Sequence, residues 1–535
     1  MFRMLWRKLR FLQKLASTNG EQQGSGERKI TATLKENLAA IQGAYGDSVD
    51  LIVRRITIGS QRNLELALLN IDGLVDLDRV SESILTPLLV YSEKISTKEL
   101  TPSKILNTLL DFIPNEDPKI LHTIESAIQS IADGTSVLFV QGIAQAIEFS
   151  TRGWEKRAVD EPETESVIRG PREGFIETLR VNTALLRRRI RDPKLRIEHF
   201  QVGKRTLTPV EIAYLAGVVN TKLVTEVKRR LEKIDTDAIL DSGYIEQYIE
   251  DAPLSIFTTV RNSERPDVVA SKLLEGCVAI LVDGSPIVLT VPMVFWESFT
   301  SPDDYYSRPY YQTLVRWARF IAYAFNILLP AIYVALTTFH QELLPTPLLL
   351  TAAAAREGTP FPAVVEALGM GLIFEILREA GIRLHRPIGQ AISIVGALVI
   401  GDSAVSAGLI GAPMVIVVAL TAISSFVNPA QNDSSSFLRL LLTIIAAILG
   451  AYGIVMGLLA LLIHLCAVRS FGVPYLAPLA PLIPRDVAKD TIFRAPWWLM
   501  WTRPRSTGWV DRERQAFRLL PEPPSEDQKA GEVSG

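Results

Sequence analysis

At 535 residues the chain is too long for one ordinary domain. Its 48% hydrophobic content and mean hydropathy of +0.21, beside 21% charged residues, are the averages of a soluble part joined to a membrane part. A formal net charge of −2 offers nothing to a nucleic-acid backbone, and Cys277 and Cys466 lie too far apart in sequence to suggest a zinc motif or a disulfide framework.

The first 29 residues begin with a basic, apolar stretch, MFRMLWRKLRFLQKL, and end in a polar linker. Phe2, Leu5, Leu9 and Leu12 recur at helical spacing among Arg and Lys. That suits either a helix on an anionic membrane surface or a frayed tail, and the lack of a long apolar core argues against a secretory signal.

Residues 30–132 read as a first α/β subdomain: a helix over 34–45, strands IVRRITI and LELALLNI, and a helix LDRVSESILTPLLVY capped by Asp76. A further helix, DPKILHTIESAIQSIA, carries His122. A second α/β subdomain, residues 133–311, opens with the strand VLFVQ and a sheet edge IAQAIEF. Next comes the segment Arg169, Gly170, Pro171, Arg172, Glu173, Gly174, Phe175, followed by an arginine-rich helix, LRVNTALLRRRIRD. Gly and Pro ahead of a helix N-terminus can hold an anion, and equally mark a linker whose arginines pair with acids. A strand SIFTTV, a helix DVVASKLLEG and two apolar strands around Asp283-Gly284 follow, the last a hairpin signal. Trp296, Tyr305, Tyr306, Tyr310 and Tyr311 suit an interfacial aromatic belt. Cys277 and Cys466 read as buried small hydrophobes.

Residues 312–468 read as an all-α, polytopic membrane domain. The first span covers 315–339, with Arg308, Arg316 and Arg319 on its N-terminal side, so the large N-terminal region is expected to be cytoplasmic. A proline-broken stretch before 360 suits an interfacial or re-entrant segment. Within 360–429 lie Glu366, Glu375, Arg378 and Glu379, charges that cost roughly 2.5–3.5 kcal/mol each at a bilayer centre and therefore face protein or water. At 100° per residue Glu375, Arg378 and Glu379 share one face, and Glu366 points away from Glu375. Gly389, Ser393 and Gly396 form a small-residue stripe fit for close packing or a pore. A polar loop, QNDSSS, leads to one long span over 437–468, with Gly450, Gly453 and Gly457 on one face. The Arg-rich tail, 469–535, is expected on the cytoplasmic side, so the crossings should be even in number.

Several blocks then resemble the A subunit of the GerA-type spore germination receptors, in that family's order. They are NIDGLVD, RGPREGF, RRRIRDPKL, AILVDGSPIVLTVP with FWESFTSPDDYY, PFPAVVEALGMGLIFEILREAGIRL, PIGQAISIVGALVIGDSAVSAGL and MVIVVALTAISSFVNP. The resemblance implies a multi-pass protein of the spore inner membrane. It implies partners in a permease-like B subunit and a lipoprotein C subunit, and a homo-oligomer of A subunits forming a gated cation channel that triggers germination. Glu366, Glu375, Arg378, Glu379, Gly389, Ser393 and Gly396 are then the pore or gate candidates, and Arg169 to Phe175 the inter-domain coupling candidates.

Alternatives are a paralogue that amplifies germination without nutrient sensing, or a secondary transporter, although no second copy of the 360–429 block is visible. No enzyme is expected, and neither a cofactor nor a metal. The five histidines are scattered, without nucleophile-base pairing, a phosphate loop or metal-ligand spacing.

Overall fold

The computed structural model describes residues 28–58, 64–90, 105–106, 109–110, 113, 118–153, 162, 165, 167–383, 401–505 and 510–515. The chain divides into two compact units, residues 1–154 with 191–193, and residues 155–190 with 194–535. The N-terminal basic stretch and Gly389, Ser393 and Gly396 lie outside the described residues.

In the first unit helix α1 (Leu34–Tyr45) precedes strands β1 (Leu51–Ile58) and β2 (Leu64–Ile71), and a helical stretch follows over residues 77–90. Then come β3 (Lys119–Leu121), helix α2 (Ile124–Ala132), β4 (Ser136–Val140) and β5 (Ala146–Phe149). The strands form an antiparallel sheet in the order β1-β2-β4-β5-β3. Strand β2 is buried on both faces: Leu64, Leu66 and Leu68 join Ile84 and Leu88 of the helical stretch, while α1 packs on the sheet as well.

The division expected at residue 133 therefore falls inside this unit. Asp133-Gly134 is only the turn from α2 into β4, which pairs back on β2 with Leu66 opposite Val140. Strand β5 is not an edge, since it lies between β4 and β3, and His122 sits between β3 and α2 rather than on a helix.

The second unit repeats this plan. Helix α3 (Leu179–Arg189) leads to β6 (Leu195–Val202) and β7 (Thr208–Leu215), then α4 (Thr221–Glu232), α5 (Ser242–Ile249), β8 (Arg261–Ser263), α6 (Pro266–Leu274), β9 (Val278–Val282) and β10 (Val288–Val291). The sheet order β6-β7-β9-β10-β8 matches the first strand for strand. The polar details recur too. Asn37 brackets the backbone of Thr31 through its amide, and Asn182 does the same to Ile176. The Leu34 N–H donates to the Gln141 side chain, and the Leu179 N–H to Asp283. One sheet face packs on α4 and α5 through Val227, Leu231 and Ile245, the other on α3 and α6 through Leu186, Val269 and Leu273. The expected hairpin is present, with Leu289 opposite Ile280, whereas SIFTTV is irregular and the strand begins at Arg261. Cys277 is buried as expected, but Cys466 is exposed.

The helical part of this unit begins with α7 (Pro309–Thr338), continues through α8 (Thr346–Arg356), α9 (Ala363–Arg383) and α10 (Ala412–Phe426), and closes with α11 (Asn432–Ala467). Helix α8 has no buried residue. Among the described residues, α7 and the 39-residue stretch Pro429–Ala467 are long and apolar enough to cross a membrane, with mean hydropathies of 1.9 and 2.4.

The single span expected over 437–468 is instead a helical hairpin. Gly450 leaves helical geometry at φ 60°, ψ −145°, a conformation that favours glycine. Leu438 and Leu465 share one cluster with Phe257, Phe295 and Phe299. On a straight helix those two leucines would stand roughly 40 Å apart. The arms touch because Gly453 and Gly457 have no side chains: a Cβ at Gly453 would come within 2.7 Å of Ile445, and one at Gly457 within 2.7 Å of Leu442.

One further expectation is corrected here. Asn432 to Ser436 form no loop but the first turns of α11, where Ser434 and Ser435 are buried. Arg316, of the arginines on the N-terminal side of the first span, is fully buried. The aromatic residues also divide: Trp296 packs edge-on against Phe295 and Phe320, while Tyr310 and Tyr311 are exposed.

Candidate functional site

Helix α9 carries Glu375 and Arg378 one turn apart, so both side chains leave the same face, and they pair at 2.6 Å. Helix α11 delivers Arg439 to the same carboxylate, and the Ser436 hydroxyl donates to Glu375 Oε1 at 3.0 Å. The other Nη of Arg439 donates to Asn326 Oδ1 of α7 at 2.8 Å, and Asn326 Nδ2 donates to the Ser435 hydroxyl at 2.8 Å. Three helices thus meet around one carboxylate, two guanidiniums, one amide and two hydroxyls. The Arg439 side chain is 9% exposed and that of Glu375 28%. A charge so dry is tolerable only when paired, and removing one partner of such a pair typically costs about 3–5 kcal/mol.

The structure separates the other expected members of this site. Glu379 pairs with Arg383 at 2.6 Å, one turn on, and both are exposed. At 100° per residue Glu379 stands about 40° from Glu375 and about 100° from Arg378 around the helix. Glu366 is buried and points elsewhere, as expected. Its Oε2 accepts the Gly411 N–H at 3.4 Å, ahead of α10, and its Oε1 has no hydrogen-bond partner among the described residues. Arg439 and Asn326 were not among the sequence candidates. The rule that singled out Glu375, a polar group inside an apolar run, applies equally to NIL in α7 and FLRLLL in α11, yet only the fold shows that they converge.

The Arg169 to Phe175 segment is packed protein rather than an open anion loop. Arg265, fully buried, donates to the Pro171 carbonyl at 2.8 Å and to Asp267 at 3.0 Å. Asp267 also accepts from the Tyr306 hydroxyl at 2.6 Å, three residues before α7. Burial and the Asp267 carboxylate push the Tyr306 phenol up. Gly170, at φ 146°, lies so close that a Cβ there would meet the Tyr306 ring at 2.9 Å. The Arg169 N–H donates to Asp303 at 3.1 Å, Glu173 takes Arg188 and Arg189 at 3.1 and 2.9 Å, and the buried Phe175 donates its N–H to the Glu264 backbone carbonyl at 2.7 Å. Arg172 is exposed. Beside this segment Lys272 bridges Glu275 and Glu297 at 3.0 and 3.1 Å. Burial works against the Glu275 carboxylate, but Lys272 and Arg514 outweigh it and bring its pKa down to about 2.

The Bacillus/Clostridium GerA spore germination protein family matches residues 39–506. This chain belongs to that family. It is 45% identical to spore germination protein KA of Bacillus subtilis (strain 168) over 496 residues, covering 92% of this chain and 90% of the relative. An uncharacterized membrane protein of the same organism, YfkQ, is 43% identical over 488 residues, covering 90% and 93%. Among solved structures, the N-terminal domain of the A subunit of the Bacillus megaterium spore germinant receptor GerK3 is 33% identical, with a TM-score of 0.40, covering 50% of this chain and 98% of that domain. The GerA match spans both units and the helical part, so the Glu375 site lies inside the family's own extent.

Proposed function

We propose that this GerA-family chain is the A subunit of a nutrient germinant receptor in the spore inner membrane. Its α/β repeats lie in the cytoplasm, and it assembles with copies of itself, a permease-like B subunit and a lipoprotein C subunit into a gated cation channel. Family membership supports the germination role, and α7 with the α11 hairpin supports membrane residence.

The observation that carries the channel reading is the network of half-buried Glu375 and Arg378 with buried Arg439 and Asn326 inside an apolar helical bundle. Charge in such a place is costly and marks a pathway or switch. One carboxylate faces two guanidiniums, so the cluster as arranged carries +1 and repels cations. It therefore serves as the closed lock of the path, and conduction requires Arg439 to leave it. Glu366 and the small residues Gly389, Ser393 and Gly396 are assigned to the remainder of the path, and Arg169 to Phe175 to coupling between the α/β part and α7.

The test is cation release from dormant spores that carry this chain with its B and C partners, compared with Glu375→Gln at matched abundance. Nutrient-dependent release whose rate or threshold changes with the substitution supports the assignment. Unchanged release moves the lock elsewhere, and release independent of nutrient and partners favours the amplifying paralogue.

A further inference from the structure

The chain after α11 turns back and lies along the start of α7. Arg316, two turns into α7, is fully buried: its guanidinium bonds Asp304 at 3.1 Å and reaches both the carbonyl and, at 3.2 Å, the carboxylate of Asp490. Arg319 holds Asp304 from the next turn at 2.8 Å. Around these ions the returning segment, residues 484–501, is stitched down by neutral bonds. The Trp317 indole donates to the Ile492 carbonyl at 2.9 Å, the Trp497 indole to the Tyr305 carbonyl at 3.1 Å, and the Arg494 N–H to the Thr313 hydroxyl at 3.1 Å. The Tyr305 hydroxyl donates to Asp490 at 2.9 Å. The chain beyond this segment is joined to the α/β part, since Arg503 donates to the Leu274 carbonyl and Arg514 to Glu275, each at 2.8 Å.

Ten residues beyond Arg316 on the same helix, roughly 15 Å along its axis, is Asn326. Asn326 accepts from Arg439, which holds Glu375. Between them the Arg319 carbonyl accepts from Asn428, at the end of α10, at 2.8 Å. An α-helix transmits displacement as a rod, so the seat of Arg316 and the seat of Asn326 cannot shift independently.

We infer that Arg316 is a positioning residue and that residues 484–501 are the strap that seats it, so that the strap sets where α7 presents Asn326 to the Arg439–Glu375 pair. This rests on the gating reading only for its consequence in germination; the coupling itself is a property of the chain.

The experiment uses the full chain in its own membrane with the exposed Cys466 changed to Ser, and reads the rate at which Ser436→Cys, beside Glu375, reacts with a maleimide. Asp490→Asn is expected to speed labelling on the order of fivefold, the lower end of ordinary coupling between sites. Asp490→Glu, which keeps the carboxylate, should keep the parent rate. Trp317→Phe, which loses only the bond to Ile492, should give an intermediate rate and serves where Asp490→Asn fails to accumulate. A purely local role would loosen the strap, seen as faster trypsin cleavage at Arg485 or Arg494, without changing the rate at position 436. That pattern in Asp490→Asn or in Trp317→Phe overturns the inference, whether or not the chain conducts cations.

Discussion

Arg439 and Glu375 stand 64 residues apart in sequence on different helices, and one Glu375 carboxylate oxygen accepts from both Arg439 and the Ser436 hydroxyl, while the other arm of Arg439 rests on Asn326. Each charge in this group is made tolerable by the others. Glu375→Leu alone leaves two guanidiniums without their acid and should cost about 3–5 kcal/mol, whereas Glu375→Leu with Arg439→Leu should cost less than the sum of the single changes. Thermal unfolding of the detergent-solubilised chain reads this directly, and strict additivity would show that the pair is not coupled.

The hairpin makes a topological prediction. Single cysteines placed at Asn432 and Arg469 should label from the same side of the membrane, and a straight span would put them on opposite sides. Gly450→Ala should destabilise the fold by about 1–3 kcal/mol, because residues other than glycine are strained at its φ of 60° and the new Cβ would meet Phe339 at 2.9 Å.

In the second unit, burial and then the neighbouring Glu250 and Asp241 charges raise the Glu246 carboxyl from 4.5 to about 7. The folded chain favours the neutral acid, so this contribution to stability is full below pH 4.5 and is lost as pH rises through about 7. Glu246→Gln should therefore leave the thermal midpoint unaltered near pH 4 and raise it at pH 8 relative to wild type. An equal midpoint at both pH values would show that Glu246 is not the titrating group.

Where the Arg169 to Phe175 segment meets Tyr306 there is no room for a methyl group, so Gly170→Ala should lower stability by about 1–3 kcal/mol. Tyr306→Phe removes the bond to Asp267 and should cost about 1–2 kcal/mol. Both are read from thermal unfolding of the full chain, and a neutral Gly170→Ala would mean that the segment does not press on Tyr306.

Much of this was legible beforehand where the signal is local. Glu375 and Arg378, one turn apart, were recognisable as partners because helical spacing alone puts them on one face. The duplication could also have been read: TLKEN at Thr33 and TLRVN at Thr178 stand at the heads of α1 and α3, and the Gly134 and Gly276 turns open β4 and β9. It went unseen because the surrounding strands share pattern rather than residues, and any apolar strand can satisfy a sheet position.

Sequence by itself determined the family, the two-part character of the chain and the charges that cannot face lipid, because each follows from composition, ordered motifs or spacing within one helix. The tertiary structure alone decided that 437–468 folds back at Gly450, that Arg439 and Asn326 complete the Glu375 site, and that Glu379 stays outside it. Those are pairings between segments distant in sequence. Spacing within a helix says which way a side chain points, and only packing says what waits there.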